Sequence, residues 1–252
     1  MEPIFVTYGH RIEPEPLLAR VGLEPGTEEA KDFSALAGRI LDVAEAGLEK
    51  GRGGPAAAYV RASVDYVGGG GRVVLNGVPF CSTLLAQKVF GAEWVYPQVA
   101  TCGTGLDAWT ETIVNPLERY WADEILRCML DGICEAVKTD VAGRFGETGL
   151  ALVGPGSFRE WGLEGQEGVF SLIGNAVRDI GVVLRDDLLM RPLKSVSGIL
   201  LPSRGDGLTE GSCPRAGLQC PGRRPGCAGG GCGSCCGKQC GREDKAIPPE
   251  KK

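Results

Sequence analysis

A sharp change of composition near Ser203 limits what this chain can fold into. From Gly205 to Lys252 the 48 residues include 12 Gly, 7 Cys and 5 Pro and no aromatic residue. Such a segment has too little apolar surface to bury a core, which leaves it either flexible or ordered by a ligand. A core therefore belongs to residues 1–203, and residues 204–252 form a separate Gly/Cys-rich tail. The chain has 252 residues and is 43% hydrophobic, enough to build that core. The tail holds eight Lys/Arg against five Asp/Glu, a balance of +3, so the net charge of −5 leaves −8 on the body. That balance argues against a nucleic-acid partner.

Eleven cysteines and a single histidine, His10, set the available chemistry. One histidine argues against a Ser-His-Asp triad and against a multi-histidine metal site. The start, Met1-Glu2-Pro3-Ile4, has no basic n-region or long apolar h-region, and no apolar run approaches a membrane span. A cytoplasmic protein with no membrane partner is expected. Thiols stay reduced there, so clustered cysteines bind metal more often than they pair.

The tail spacing is Cys213-x6-Cys220-x6-Cys227-x4-Cys232-x2-Cys235-Cys236-x3-Cys240. Soft thiolates select zinc, copper(I) or iron–sulfur clusters. Glycines around Cys232 to Cys240 let the backbone wrap a metal, and Arg223, Arg224 and Lys238 offset thiolate charge. These seven cysteines are the predicted metal ligands. The other four, Cys81, Cys102, Cys128 and Cys134, are scattered through the body. Cys128 and Cys134 lie on or beside an apolar helical stripe and are expected in the core. Cys102, between a strand and a glycine turn, reads as a buried small residue or as an exposed thiol.

The body reads as intermixed helices and strands. Phe33, Leu36, Ala37, Ile40, Leu41, Ala44 and Leu48 recur at helical spacing, which predicts a helix from Thr27 or Glu28 to Lys50. Gly51 to Pro55 end it. A second helical stretch, Asp107 to Asp140, is one helix or two, because Asn115-Pro116 permits a new start. Shorter helices are expected over Cys81–Phe90 and Leu163–Val177. Strands are expected at Ala56–Ala62, Arg72–Leu75, Trp94–Thr101, Gly149–Val153, Val182–Leu184 and Ser195–Leu201. The regular beat of a doubly wound sheet is missing, so the expected class is α+β with a twisted, mostly antiparallel sheet and flanking helices. Gly68 to Gly71 lack a following Lys-Ser/Thr and read as a turn, not a phosphate loop.

Three segments carry a resemblance. They are Val99-Ala100-Thr101-Cys102-Gly103-Thr104-Gly105-Leu106-Asp107, then Gly154-Pro155-Gly156-Ser157-Phe158-Arg159-Glu160-Trp161-Gly162-Leu163-Glu164-Gly165-Gln166, then Met190-Arg191-Pro192-Leu193-Lys194-Ser195-Val196-Ser197-Gly198. In this order they resemble the activation (reactivation) domain of cobalamin-dependent methionine synthase, and more closely its stand-alone relatives, over residues 1 to about 203. The resemblance implies an α+β fold around a twisted antiparallel sheet. It implies binding of S-adenosylmethionine and support of the reductive methylation of an inactive corrinoid. Gly154, Pro155, Gly156, Ser157, Arg159, Lys194 and Ser195 are the candidate cofactor-binding residues. A tight Pro-Gly loop suits the ligand, because bare backbone groups can approach it closely. Where the family has an arginine three residues before Pro-Gly, this chain has Leu152.

An Asp-x-His-x-x-Gly corrinoid motif is absent from the sequence, so a partner is expected to carry the corrinoid. That partner would be a corrinoid-binding methyltransferase or a methionine synthase lacking its activation domain. The tail would supply an iron–sulfur cluster as electron donor or redox sensor. The alternative is a non-catalytic corrinoid-protein adaptor whose tail holds structural zinc. For Lys194, Ser195 and Ser197 the functional reading is one polar row along a cleft, against a solvated strand face. Trp161 and Gln166 read as residues that anchor the loop and cap the helix after it.

Overall fold

The computed structural model describes residues 2–8, 15–49 and 53–202. His10 and all seven tail cysteines lie outside the described residues. Along the chain run β1 (Ile4–Thr7), α1 (Glu15–Leu18), α2 (Glu28–Glu49), β2 (Ala56–Tyr59), β3 (Ala62–Val67), β4 (Arg72–Leu75) and β5 (Val78–Cys81). Then come α3 (Thr83–Val89), β6 (Trp94–Thr101), α4 (Thr104–Thr110), α5 (Pro116–Phe145), β7 (Leu150–Val153), α6 (Gly165–Ile173) and α7 (Ala176–Asp179). The last strands are β8 (Val183–Leu184), β9 (Met190–Arg191) and β10 (Ser195–Pro202).

Strand β6 is the axis of an eight-stranded sheet. On one side its first residues pair with β3 and its last four with β2. Val60 N–H donates to Pro97 O at 3.0 Å between the two, so residues 56–67 behave as one bent strand. β1 extends the sheet from β2, and β4 and β5 extend it from β3. On the other side β6 pairs with β10, and β10 pairs with β7. Every pairing among these strands is antiparallel. This is the α+β class, with the twisted antiparallel sheet and flanking helices, that the sequence predicts.

Both faces of the sheet are covered. α2 and α5 bury Phe33, Leu36, Ile40, Trp121, Ile125 and Met129 against Tyr59, Tyr96 and Ala100. The Phe33 and Trp121 rings meet edge to face at 5.8 Å. On the opposite face α3 and α6 bury Leu85, Val169 and Ile173 against Val95, Val99 and Ile199. The two-residue strand period separates these sets: Tyr96 and Ala100 face α5, Val95 and Val99 face α6.

Local signals explain the helix ends. Asn115 caps α5 by accepting from Leu117 N–H at 2.9 Å, Pro116 takes the first helical position, and Gly146 closes the helix with φ +72°. The stretch predicted as one helix or two is therefore two. The helix predicted from Cys81 begins at Thr83, because Cys81 pairs with Arg72 in β5 and Ser82 is the cap. The helix predicted over Leu163–Val177 is interrupted at Gly174, whose φ is +68°.

Candidate functional site

Strand β10 gathers all three recognisable segments. Its register places Ser195 opposite Thr101 and Ser197 opposite Val99, which joins the first segment to the third. Ile199 faces Val153, the last residue before the Gly154-Pro155-Gly156 loop, which brings in the second.

Cys102 N–H donates to Lys194 O at 2.9 Å. In an antiparallel ladder alternate residues turn their backbone groups to opposite sides. Lys194 therefore faces β6 with its backbone, and Ser195 and Ser197 face the β7 side. β7 ends opposite Ile199, so among the described strands nothing pairs with β10 from Ser195 to Ser197 on that side. The result is a short edge left open by the other strands, with Ser195 half-buried and Ser197 almost wholly buried against Gly154.

The loop closes on itself. Gly156 N–H donates to Trp161 O at 2.7 Å, Ser157 N–H to Gly154 O at 3.3 Å, and Trp161 N–H to Phe158 O at 3.1 Å. Gly156 has φ +81°, a conformation costly for any residue with a Cβ. Gly154 lies against the open edge: a Cβ there would sit 2.9 Å from Ser197 O. Ser157 and Arg159 are exposed, and Pro155 is buried. Trp161 is buried against Phe80, ring to ring at 6.3 Å, and its Nε1 is a buried donor without a partner among the described residues. Gln166 donates Nε2–H to Leu188 O at 3.0 Å and accepts from Ser197 Oγ at 3.2 Å. Trp161 anchors the loop, as expected, whereas Gln166 ties α6 to β10 and to Leu188, and no side chain caps α6.

Lys194, Ser195 and Ser197 do not form one row, which corrects that expectation. The strand period puts the two serines on one face and Lys194 on the other. Ser195 Oγ donates to Pro192 O at 2.8 Å and lies 2.9 Å from Thr101 Oγ1, so its hydroxyl is committed to the strand pair. Lys194 Nζ lies 2.6 Å from Asp123 Oδ1 on α5. There it borders a cavity of about 360 Å³ between α4, α5 and the Pro192–Lys194 segment, and the glycine loop is not among its walls.

The sequence reading missed Asp107 as a support and Arg119 and Asp123 altogether. Asp107 Oδ1 accepts from Leu193 N–H at 3.0 Å and holds the approach to β10 in place. Arg119 and Asp123 are one helical turn apart on α5, ahead of Leu126, a charged continuation of an apolar stripe.

Burial pushes the Cys102 thiol up to about 12, against the lowering effect of Lys194. Burial likewise raises Cys134 to about 11, against its hydrogen bond from Gln98. Both are buried core thiols, as expected for Cys134, whereas Cys128 is half-buried and Cys81 is exposed. Among the described residues no group of three or more His, Cys, Asp or Glu is placed to hold a metal ion. No described helix is long and apolar enough to cross a membrane. Leu152 packs partly buried on the α2/α5 side of the sheet, with Cδ1 close to Gly198.

No protein-family model matches this chain, and no curated protein matches it. Among solved structures it is similar to a crystal structure of the MetH reactivation domain bound to AdoHcy, with a TM-score of 0.55 and 12% sequence identity. That match covers 79% of this chain and 77% of the other. At this identity the likeness is one of fold, and the fold is that of the reactivation domain.

Proposed function

We propose that the body binds an S-adenosyl compound between the Gly154–Ser157 loop and the open β10 edge, and that it supports reductive reactivation of a corrinoid carried by a partner methyltransferase. The observation that carries this reading is the convergence of all three recognisable segments on β10 in a fold shared with a reactivation domain bound to AdoHcy. The donor set suits the ligand. An open strand edge and a glycine loop offer backbone N–H and C=O groups to a purine and a ribose. Arg159, exposed on that loop, is the cation available for the amino-acid carboxylate. When bound, S-adenosylmethionine would supply the methyl group, and a low-potential electron would come from elsewhere. On this reading the chain's own residues hold and orient the donor: Gly154 and Gly156 through close backbone approach, Ser157 through its hydroxyl. The seven tail cysteines hold an iron–sulfur cluster or zinc.

Equilibrium dialysis of the full chain with S-adenosylhomocysteine and S-adenosylmethionine tests the body. Saturable binding weakened by Arg159→Ala supports the reading, and no retention of either compound sinks it. Anoxic purification tests the tail: cluster absorbance should vanish when Cys232, Cys235, Cys236 and Cys240 become serine. Protein free of iron and zinc would remove that part.

Leu152 favours a second reading, a non-catalytic corrinoid-protein adaptor with structural zinc. Its side chain packs into the body instead of reaching a ligand carboxylate. The adaptor predicts zinc in the tail, retention of a corrinoid methyltransferase, and no S-adenosyl binding.

A further inference from the structure

The cavity beside Lys194 lies on the opposite face of β10 from the glycine loop, and its chemistry is graded. Its lining carries five charged groups: Asp107, engaged by Leu193 N–H at 3.0 Å, and four that stand in two pairs. Arg119 on α5 reaches Glu111, just past α4, at 3.2 Å, and Lys194 reaches Asp123 at 2.6 Å. Arg119 and Asp123 stand one turn apart on α5, so cation and anion alternate along that wall. Below them the floor is apolar, with Leu106 and Leu126 buried and the neutral Cys102 thiol donating to Leu126 O at 3.2 Å.

Three physical points decide what such a space takes. First, the pairs at its mouth are easily exchanged, because Arg119, Glu111 and Asp123 are all more than half exposed and are screened by solvent. Second, a lone anion binding Arg119 and Lys194 would strand two carboxylates, and a lone cation would strand the two bases. A ligand with an ammonium and a carboxylate on one carbon re-pairs these four groups at once and leaves Asp107 with Leu193 N–H. Third, the floor offers no charge, so the remainder of the ligand must be apolar. The volume of about 360 Å³ lies at the small end of ligand cavities.

We propose that this cavity binds a free α-amino acid with an apolar side chain, its carboxylate at Arg119 and Lys194, its ammonium at Glu111 and Asp123, and its side chain over Leu106 and Leu126. The site is separate from the S-adenosyl site proposed above and does not depend on it.

Equilibrium dialysis of the full chain with radiolabelled L-leucine, L-methionine and L-phenylalanine tests this. At least one is retained saturably, and the retained one is displaced about tenfold or more weakly by its amide and its N-acetyl derivative, each of which lacks one charge. Arg119→Gln and Asp123→Asn each weaken retention by a similar factor while thermal melting stays at the wild-type midpoint, since both side chains are exposed. Saturating S-adenosylhomocysteine leaves the amino-acid affinity unchanged. The proposal is overturned if none of the three amino acids is retained, if the blocked derivatives compete equally, if the two variants bind as wild type, or if S-adenosylhomocysteine displaces the amino acid.

Discussion

Ser197 Oγ donates to Gln166 Oε1 across 3.2 Å, with both residues almost wholly buried. Gln166 also donates to Leu188 O, so one amide links α6 to β10 and to the turn between β8 and β9. Ser197 O in turn lies against Gly154. A single buried side chain thus ties β10, beside the loop, to α6 and to the β8–β9 turn.

Gln166→Leu keeps volume but leaves the Ser197 hydroxyl and the Leu188 carbonyl without their partner. Each unsatisfied buried group costs about 1–3 kcal/mol, so a loss of about 2–4 kcal/mol is expected. Urea unfolding should show a lower midpoint at an unchanged slope. A loss under about 0.5 kcal/mol would mean that water replaces the amide.

Two glycines should separate fold from binding. Gly103 has φ +96°, and a Cβ there would overlap Gly53 O and Gly54 O. Strain and overpacking together predict a loss of about 3–5 kcal/mol for Gly103→Ala, read by denaturant unfolding. Gly154 has no such φ, and its contact with Ser197 O is a lesser one. Gly154→Ala should cost about 1–2 kcal/mol of stability. By pushing the loop off the β10 edge, it should also abolish S-adenosylhomocysteine retention in dialysis.

The parts of the fold legible in the sequence are those with a long period or a strong local signal. α2 declares itself through Phe33, Leu36, Ile40 and Ala44, and the start of α5 through Asn115-Pro116. β1 and β5 have only four residues each, and β5 contains Pro79, so their order comes from pairing partners far along the chain. One signal for β5 was available. Asn76 and Gly77, with φ of +45° and +79°, form the two-residue turn joining Leu75 to Val78. The loop side of the site was legible because Gly154–Gln166 is contiguous. The cavity side was not, because Asp107, Arg119, Asp123 and Lys194 meet only once β6 and β10 pair and α5 packs across them.

Thiol reactivity should sort the body cysteines by burial. The Cys102 and Cys134 thiols are raised to about 12 and about 11, chiefly by burial, so almost no thiolate exists at pH 8. Cys81 is exposed on an edge strand. A brief pulse of iodoacetamide at pH 8, followed by peptide mass spectrometry, should modify Cys81 and spare Cys102 and Cys134 until urea unfolds the chain. Equal labelling of Cys102 and Cys81 in the native protein would contradict the burial that defines the cavity floor.

The bond from Tyr59 Oη to Asp140 Oδ2, 2.6 Å long, should give stability a window bounded on both sides. Desolvation would raise Asp140, but hydrogen bonds from Arg144 and Tyr59 outweigh it and hold the carboxyl below its ordinary value. A depressed carboxyl contributes stability that is present above its unfolded value, about 4, and is lost as pH falls through the folded value. Tyr59 is shifted upward, by burial first and then by its bond to Asp140. A raised phenol contributes fully below its unfolded value, about 10, and loses that contribution as pH rises through the folded one. Tyr59→Phe removes the phenol's own shift and its share of the Asp140 depression, and leaves the share that Arg144 holds. The stability difference between wild type and variant, from urea unfolding across pH, should therefore be flat at about 1–2 kcal/mol between about pH 5 and 9. It should shrink below about pH 4 and again above about pH 10. A difference that grows on acidification would mean that Asp140 is held protonated, the reverse of the assignment made from its two donors.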